Sequence, residues 1–132
     1  MRTIPSSSEL LEVISDYLRN NISPKVAQPD RFYLLVAANS LDIVRREIDQ
    51  GGAADAAALD RLRALLGREV GDVETLDSML IEAIRAGDLP ASSPALRDHL
   101  TRAALEEVAI DQPRYASYLR MVELVEQEGA AV

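Results

Sequence analysis

The chain has 132 residues, with 22 Asp and Glu against 14 Lys and Arg, one His, no Cys and no Trp, giving a formal net charge of −8. That is the length of one ordinary domain, large enough to close a core without a metal or disulfide staple. Without cysteine there is no disulfide, thiolate nucleophile or zinc–thiolate centre, a lone His rules out a multi-histidine metal site, and the acidic balance repels nucleic-acid phosphates and anionic lipid heads.

Apolar positions recur at intervals of three and four rather than two, which predicts helices and no strands. A first helix follows Ser6 and Glu9, which have capping-box spacing, and carries Leu10, Leu11, Ile14, Tyr17 and Leu18 along one face until Asn20-Asn21-Ile22-Ser23-Pro24 ends it. A second is expected from about Asp30 to Gln50, stopped by Gly51-Gly52. Its apolar residues fall on two stripes, Phe32, Val36 and Ile43 on one and Leu34, Ala37, Leu41, Val44 and Ile48 on the other. A helix of this kind should lie between neighbours on both sides. A polar strip of Arg31, Asp42, Arg45, Arg46 and Asp49 separates the stripes.

The third helix, about Ala54 to Leu66, turns Leu59, Leu62, Leu65 and Leu66 inward and stops at Gly67. Asp72 caps a fourth, with Val73, Leu76, Leu80, Ala83 and Ile84 as its core face and Gly87 at its end. Ser93-Pro94 starts a fifth through Leu96, Leu100, Ala103, Ala104 and Val108, ending near Asp111 before Pro113. A sixth runs from Pro113 to about Glu128, with Tyr115, Tyr118, Leu119, Val122 and Val125 on one face. The expectation is all-α: a single-domain bundle of about six helices around a central apolar second helix. The domain would span residues 8–128, with 1–7 and 129–132 disordered and the Gly87–Ser93 linker the most mobile.

The longest apolar run, Phe32 to Ala38, is far short of the roughly 20 residues needed to cross a bilayer, and the opening Met1-Arg2-Thr3-Ile4-Pro5 lacks a secretory apolar region. A cytoplasmic protein is expected.

The stretch Phe32-Tyr33-Leu34-Leu35-Val36-Ala37-Ala38-Asn39-Ser40-Leu41-Asp42-Ile43-Val44-Arg45-Arg46-Glu47 resembles a bacterial family of small helical proteins of unknown function. The opening Glu9-Leu10-Leu11-Glu12-Val13 and the closing Ile110-Asp111-Gln112-Pro113-Arg114-Tyr115 agree with it, so that the resemblance covers about Glu9 to Tyr118. Its most specific piece is Val36 to Asn39 followed by Arg46-Glu47. The family pattern commonly has a basic residue where this chain has Leu35, and Asn where it has Gln112. The resemblance implies no reaction. It does imply a genomic setting beside acyl-CoA dehydrogenases and aminoglycoside-phosphotransferase-like kinases, and hence an accessory role with one of them as protein partner.

Few residues invite chemistry. Asn39 projects beside an apolar stripe, where an amide needs partners. It either binds a ligand carbonyl, with Arg46 and Glu47 nearby, or ties the helix to another segment, and the structural role has the larger weight. Arg45 and Arg46 could grip an anion, but Asp42–Arg46 and Arg45–Asp49 have the spacing of helix-surface ion pairs, as have Asp98, Arg102 and Glu106. Glu107 falls inside the apolar arc of the fifth helix, which calls for a raised pKa or a cationic partner such as an Arg of the second helix. His99 borders the same face as a boundary histidine. The Gly51-Gly52 and Gly67–Gly71 segments lack phosphate-loop spacing and read as turns.

No cofactor or metal is implied. The poverty of reactive groups points to a non-enzymatic helical accessory protein working through a protein surface, with Tyr115, Tyr118, Met121 and Val122 as the expected contact face and self-association left open. The alternative is a small-molecule binder or enzyme with a pocket lined by Asn39, Glu47, His99 and Glu107.

Overall fold

The computed structural model describes residues 4–131. Among them there are five α-helices and no strand: α1 (Ser7–Tyr17), α2 (Asp30–Leu66), α3 (Val73–Arg85), α4 (Pro94–Asp111) and α5 (Ala116–Ala130). A π-helical turn, Leu18–Ile22, and a 3-10 turn, Ser23–Lys25, follow α1. No helix among the described residues is long and apolar enough to cross a membrane.

The expected second and third helices are one, α2, 37 residues long. Gly51 and Gly52 do not end it, because neither adopts a positive φ, the conformation of a glycine helix stop. Glycine in a helix costs only about 1 kcal/mol relative to alanine, and the Ala-rich run from Ala53 to Ala58 carries the helix onward. Real stops occur at Gly67 (φ 61°) and Gly87 (φ 81°). Gly71 is held to glycine twice over: its φ is 135°, and a Cβ there would come within 3.1 Å of Leu76.

The helix starts follow local chemistry. Ser6 Oγ accepts from Glu9 N at 3.2 Å while Glu9 accepts from Ser6 N at 2.7 Å, which completes the capping box. Asp72 caps α3 by accepting from Thr75 N at 2.8 Å, and Ser93 accepts from Leu96 N at 3.4 Å with Pro94 at the first helical position. The final helix begins later than expected, at Ala116, because Tyr115 N donates to Gln112 O in a turn after Pro113. It extends through Gly129 and Ala130, where disorder was expected. At the other end Ser7 is already helical, and Met1–Thr3 and Val132 lie outside the described residues. The Gly87–Ser93 linker is tied down by bonds from Asp88 N to Ala83 O and from Arg97 Nε to Ala91 O, with Leu89 packed on the core.

Two compact units divide the chain, Met1–Gly52 and Ala53–Val132. In the first, α1 lies against the opening half of α2 through small residues: Ser15 and Ala38 are completely buried, and Ser15 Oγ donates to Ala38 O at 3.2 Å. Arg31 fastens the turn between them, donating from Nε to the carbonyls of Ser23 and Val26 and from Nη2 to that of Pro24. The expected apolar faces of both helices are only partly inward here. On α2 most of the polar strip is half-buried, Arg31, Asp42, Arg45 and Arg46 together with Leu34, Leu41 and Ile43 of the apolar stripes, whereas Asp49 and the apolar Phe32, Tyr33, Val36, Val44 and Ile48 are exposed. On α1, Leu11 and Leu18 face inward with Ser15, and Leu10, Val13, Ile14 and Tyr17 face out. Close approach at Ser15 and Ala38 selects a mixed side of α2 for the interface, Arg31, Asp42 and Arg45 beside Leu34 and Leu41, a choice that periodicity within one helix cannot reveal.

The second unit has a conventional core. Leu62, Leu76, Leu80 and Leu96 are buried and flanked by Leu59, Leu65, Leu66, Val73 and Met79, each buried Leu contributing about 1.5–3 kcal/mol. The inward face of α4 runs through Leu96, His99 and Ala103, so Leu100, expected in the core, sits outside at 48% exposure, and Ile84 on α3 is exposed as well.

Candidate functional site

Burial and polar chemistry coincide at one place in the second unit. His99 is 3% exposed, and its Nδ1 accepts from Arg61 Nε at 3.3 Å. Arg61 is oriented by Glu106, to which Nη1 and Nη2 donate in parallel at 2.9 and 2.8 Å, the bidentate geometry that fixes a guanidinium plane. An Nδ1 that accepts must belong to a neutral imidazole with its proton on Nε2. Burial and then the positive charge of Arg61 hold the His99 pKa below the usual histidine value, outweighing the upward pull of Asp77, Glu106 and Asp98. With Nδ1 committed, His99 can only donate from Nε2, so it offers a ligand a hydrogen bond but no free lone pair for proton abstraction.

This imidazole lines a cleft of about 310 Å³ among α2, α3 and α4. Asp55, Asp77, Glu106 and Glu107 are the other polar residues of its wall, and Ala54, Ala58, Ala103 and Ala104 supply small side chains that leave the space open. The carboxylates do not form a metal-holding group; none occurs among the described residues.

A second polar cluster stands in the first unit. Arg19, in the π-helical turn, donates to Asp42 at 2.7 Å, to Asn39 Oδ1 at 3.0 Å and to Ser15 Oγ at 3.1 Å. Burial raises the Asp42 pKa, but hydrogen bonds from Ser15 and Arg19 and the charges of Arg19 and Arg45 outweigh it and hold the carboxyl below the ordinary aspartate value. Arg45 Nε is buried and without a hydrogen-bond partner among the described residues.

Residues 24–115 match the family model described as a domain of unknown function (DUF6285). The chain belongs to this family. No curated protein and no solved structure matches it. The DUF6285 match takes in the Val36–Asn39 and Arg46-Glu47 pieces and the closing Ile110–Tyr115, while the opening Glu9–Val13 lies before it. Both polar clusters draw on the matched region, except that Ser15 and Arg19 precede it.

In this DUF6285 chain the residues singled out from sequence fall in different places. Asn39 is exposed rather than set in an apolar surround, and its Oδ1 is taken by Arg19, which supplies the cation that Leu35 cannot. Glu47 is exposed, and Arg46 is half-buried and partnered. Asp42 pairs with Arg19 of the preceding turn, and Asp49 accepts from Ser8 Oγ at 2.9 Å. His99 and Glu107 are brought together in the cleft, which residues of the second unit line throughout.

Glu107 itself is exposed; the carboxylate that meets an arginine of α2 is its neighbour Glu106. His99 is fully interior rather than at a boundary. Asp98 and Arg102 form the expected i,i+4 pair at 2.9 Å. The expected contact face of the last helix is split, Tyr115 and Met121 being exposed and Tyr118 and Val122 half-buried. Arg19 and Arg61 were missed, although Arg61 stands on the border of the Leu62–Leu65 arc and Arg19 continues the inward line of Leu11 and Ser15. An arginine in line with an apolar or small-residue face is the available signal.

Proposed function

We propose that this protein is a non-enzymatic helical accessory protein, cytoplasmic, that docks another protein through the exposed apolar faces of its first unit. The observation that carries this reading is the exposure of two apolar stripes in that unit. Leu10, Val13, Ile14 and Tyr17 occupy an arc about 100° wide on α1, all between 47% and 67% exposed. Tyr33, Val36, Val44 and Ile48 make a similar arc on α2, between 44% and 64% exposed. Scattered exposed apolar residues are normal, but contiguous helical stripes beside a contact built on Ser15, Ala38 and the Arg19–Asp42 ion pair are what a partner-binding surface presents.

The partner class comes from the family resemblance: an acyl-CoA dehydrogenase or an aminoglycoside-phosphotransferase-like kinase encoded beside the gene. The chemistry of His99, confined to donation, supports a binding role over a catalytic one. Light scattering of the purified chain mixed with each neighbouring gene product should reveal a complex of defined mass. Val13→Glu combined with Tyr17→Glu should abolish it while leaving the helical circular dichroism unchanged. No complex with either protein, or a complex indifferent to the double substitution, would overturn the reading.

A further inference from the structure

We infer that the stripe on α1 is one half of a short helix–helix seam, whose other half is an amphipathic helix carrying Lys or Arg along one edge. The inference rests on the docking reading above and supplies the chemistry of the partner. Leu10, Val13 and Tyr17 are spaced by three and four, the repeat at which one helix seats the side chains of another between its own, and Ile14 widens the stripe. All four are between 47% and 67% exposed. The two edges of the stripe differ. Ile14 has Leu11 and Leu18 as its surface neighbours, three residues before and four after, and both are half-buried. Val13 has Glu9 and Asp16 in the corresponding places, four before and three after, both exposed, with Glu12 a step further round. No Lys or Arg occurs in Ser7–Tyr17 to neutralise these carboxylates. Arg19, the first base after them, is spent on Ser15, Asn39 and Asp42. Among the described residues Glu12 and Asp16 form no ion pair, and at four residues apart they repel each other.

These edges decide between occupants. Where helices pack at this spacing, charges flanking the seam face the flanking residues of the partner and select it. A second copy laid antiparallel would set carboxylates against carboxylates, and two chains of net charge −8 approach each other against repulsion. A helix acidic along its edges is repelled in the same way, and an uncharged one leaves Glu9 and Asp16 without a counter-charge. A helix that lays apolar side chains over Leu10, Val13 and Tyr17 and sets Lys or Arg opposite Glu9 and Asp16 satisfies both the stripe and its edge. The groove of about 840 Å³ beside Leu66 and Met79 in the second unit has no such one-sided charge: Arg68 shares its wall with Glu74, Glu82 and Asp88, and Glu82 is paired with Arg85.

The test titrates labelled synthetic peptides with the full chain and reads fluorescence anisotropy. One peptide, about three heptads long, carries Leu at both seam positions of each heptad and Lys at the flanking ones. A second has Glu in place of Lys, and a third scrambles the first at the same charge. The Lys peptide should bind saturably and about five- to tenfold tighter than the Glu peptide at low ionic strength, each flanking carboxylate meeting attraction instead of repulsion. Added salt should narrow the ratio, and the scramble should not bind. Asp16→Lys, exposed and near the C-terminal end of α1 where a cation suits the helix, should bring the two peptides to equal affinity or invert their order. Glu123→Lys, the same change of charge at an exposed position on α5, should leave the order intact. Val13→Gln with Tyr17→Gln, which removes apolar surface without altering charge, should abolish binding of both. Equal affinity for the Lys and Glu peptides, an order untouched by Asp16→Lys, or a chain that pairs with itself and takes neither peptide would overturn the basic partner. If the two peptides bind equally and the Gln pair still abolishes both, docking through α1 stands without that chemistry. Binding of the Lys peptide undiminished in the Gln pair would overturn the docking surface along with it.

Discussion

Arg19 and Arg61 do comparable work at the two polar clusters, each reaching from one helical segment to groups on another. Arg19 serves Asp42, Asn39 and Ser15 at once. Removing it strips charge-assisted bonds from a carboxylate that is only 20% exposed, so Arg19→Ala should destabilise the chain by about 1–3 kcal/mol in urea unfolding. Asn39→Leu removes a single acceptor at an exposed position and should cost clearly less. If the two variants lose equal stability, Arg19 does not organise the cluster.

At Arg61 the readout is pH. The folded chain keeps His99 neutral below the pH at which the unfolded chain protonates it, so on acidification the unfolded state takes up the proton first. Stability due to this site is therefore fully present above about pH 6.5, the unperturbed histidine value, and is lost as pH falls from there through the depressed folded pKa. Asp77, Asp98 and Glu106 oppose the depression, but burial and Arg61 outweigh them. Thermal melts of His99→Gln should lose this slope between neutral and mildly acidic pH, since glutamine can still accept from Arg61 but does not titrate. A slope unchanged by the substitution would assign it to other groups.

At the scale of elements, α2 decides whether glycine pairs punctuate this sequence. With Gly51 and Gly52 in helical conformation and no atom within 4 Å of a Cβ built on Gly52, Gly52→Ala should stabilise the protein by up to about 1 kcal/mol, chiefly by restricting the unfolded chain. Gly87→Ala, at φ 81°, should destabilise it by about the same amount. The opposite sign at Gly52 in chemical denaturation would mean that the helix breaks there.

Helix starts at Ser6, Asp72 and Ser93 and stops at Gly67 and Gly87 were legible in sequence because each depends on bonds spanning three to five residues. The continuity of α2 was not, since it rests on a competition between two glycines and the alanines after them. Nor was the inward face of α2, which is chosen by its fit to Ser15 of another helix. The candidate site was legible only in fragments for the same reason. His99 and Glu107 share a helix and could be paired on a wheel, but the arginine that sets the histidine's tautomer lies 38 residues away in sequence. Glu106 and Glu107 differ by one helical step, about 100°, which is enough to exchange the paired carboxylate for the exposed one.

For the molecule as a whole, the contrast between the units bears on its behaviour in solution. The second unit buries four leucines, whereas among the described residues the only fully buried apolar residue of the first is Ala38. A two-helix arrangement held by Ser15, Arg19 and Asp42, with Leu11, Leu18, Leu34 and Leu41 only half-buried, gains less from hydrophobic burial, and its outward stripes remain available to any apolar surface. In the absence of its partner the chain should therefore associate with itself weakly. Sedimentation should show an average mass that rises with protein concentration, and sulfate should strengthen the association because it favours apolar burial. The melting temperature should rise with concentration as well, by mass action on the folded state. Val13→Glu with Tyr17→Glu should leave a monomer at all concentrations. Association that sulfate weakens, or that survives the double substitution, would place the contact on charged surface instead and remove the physical basis for docking through α1.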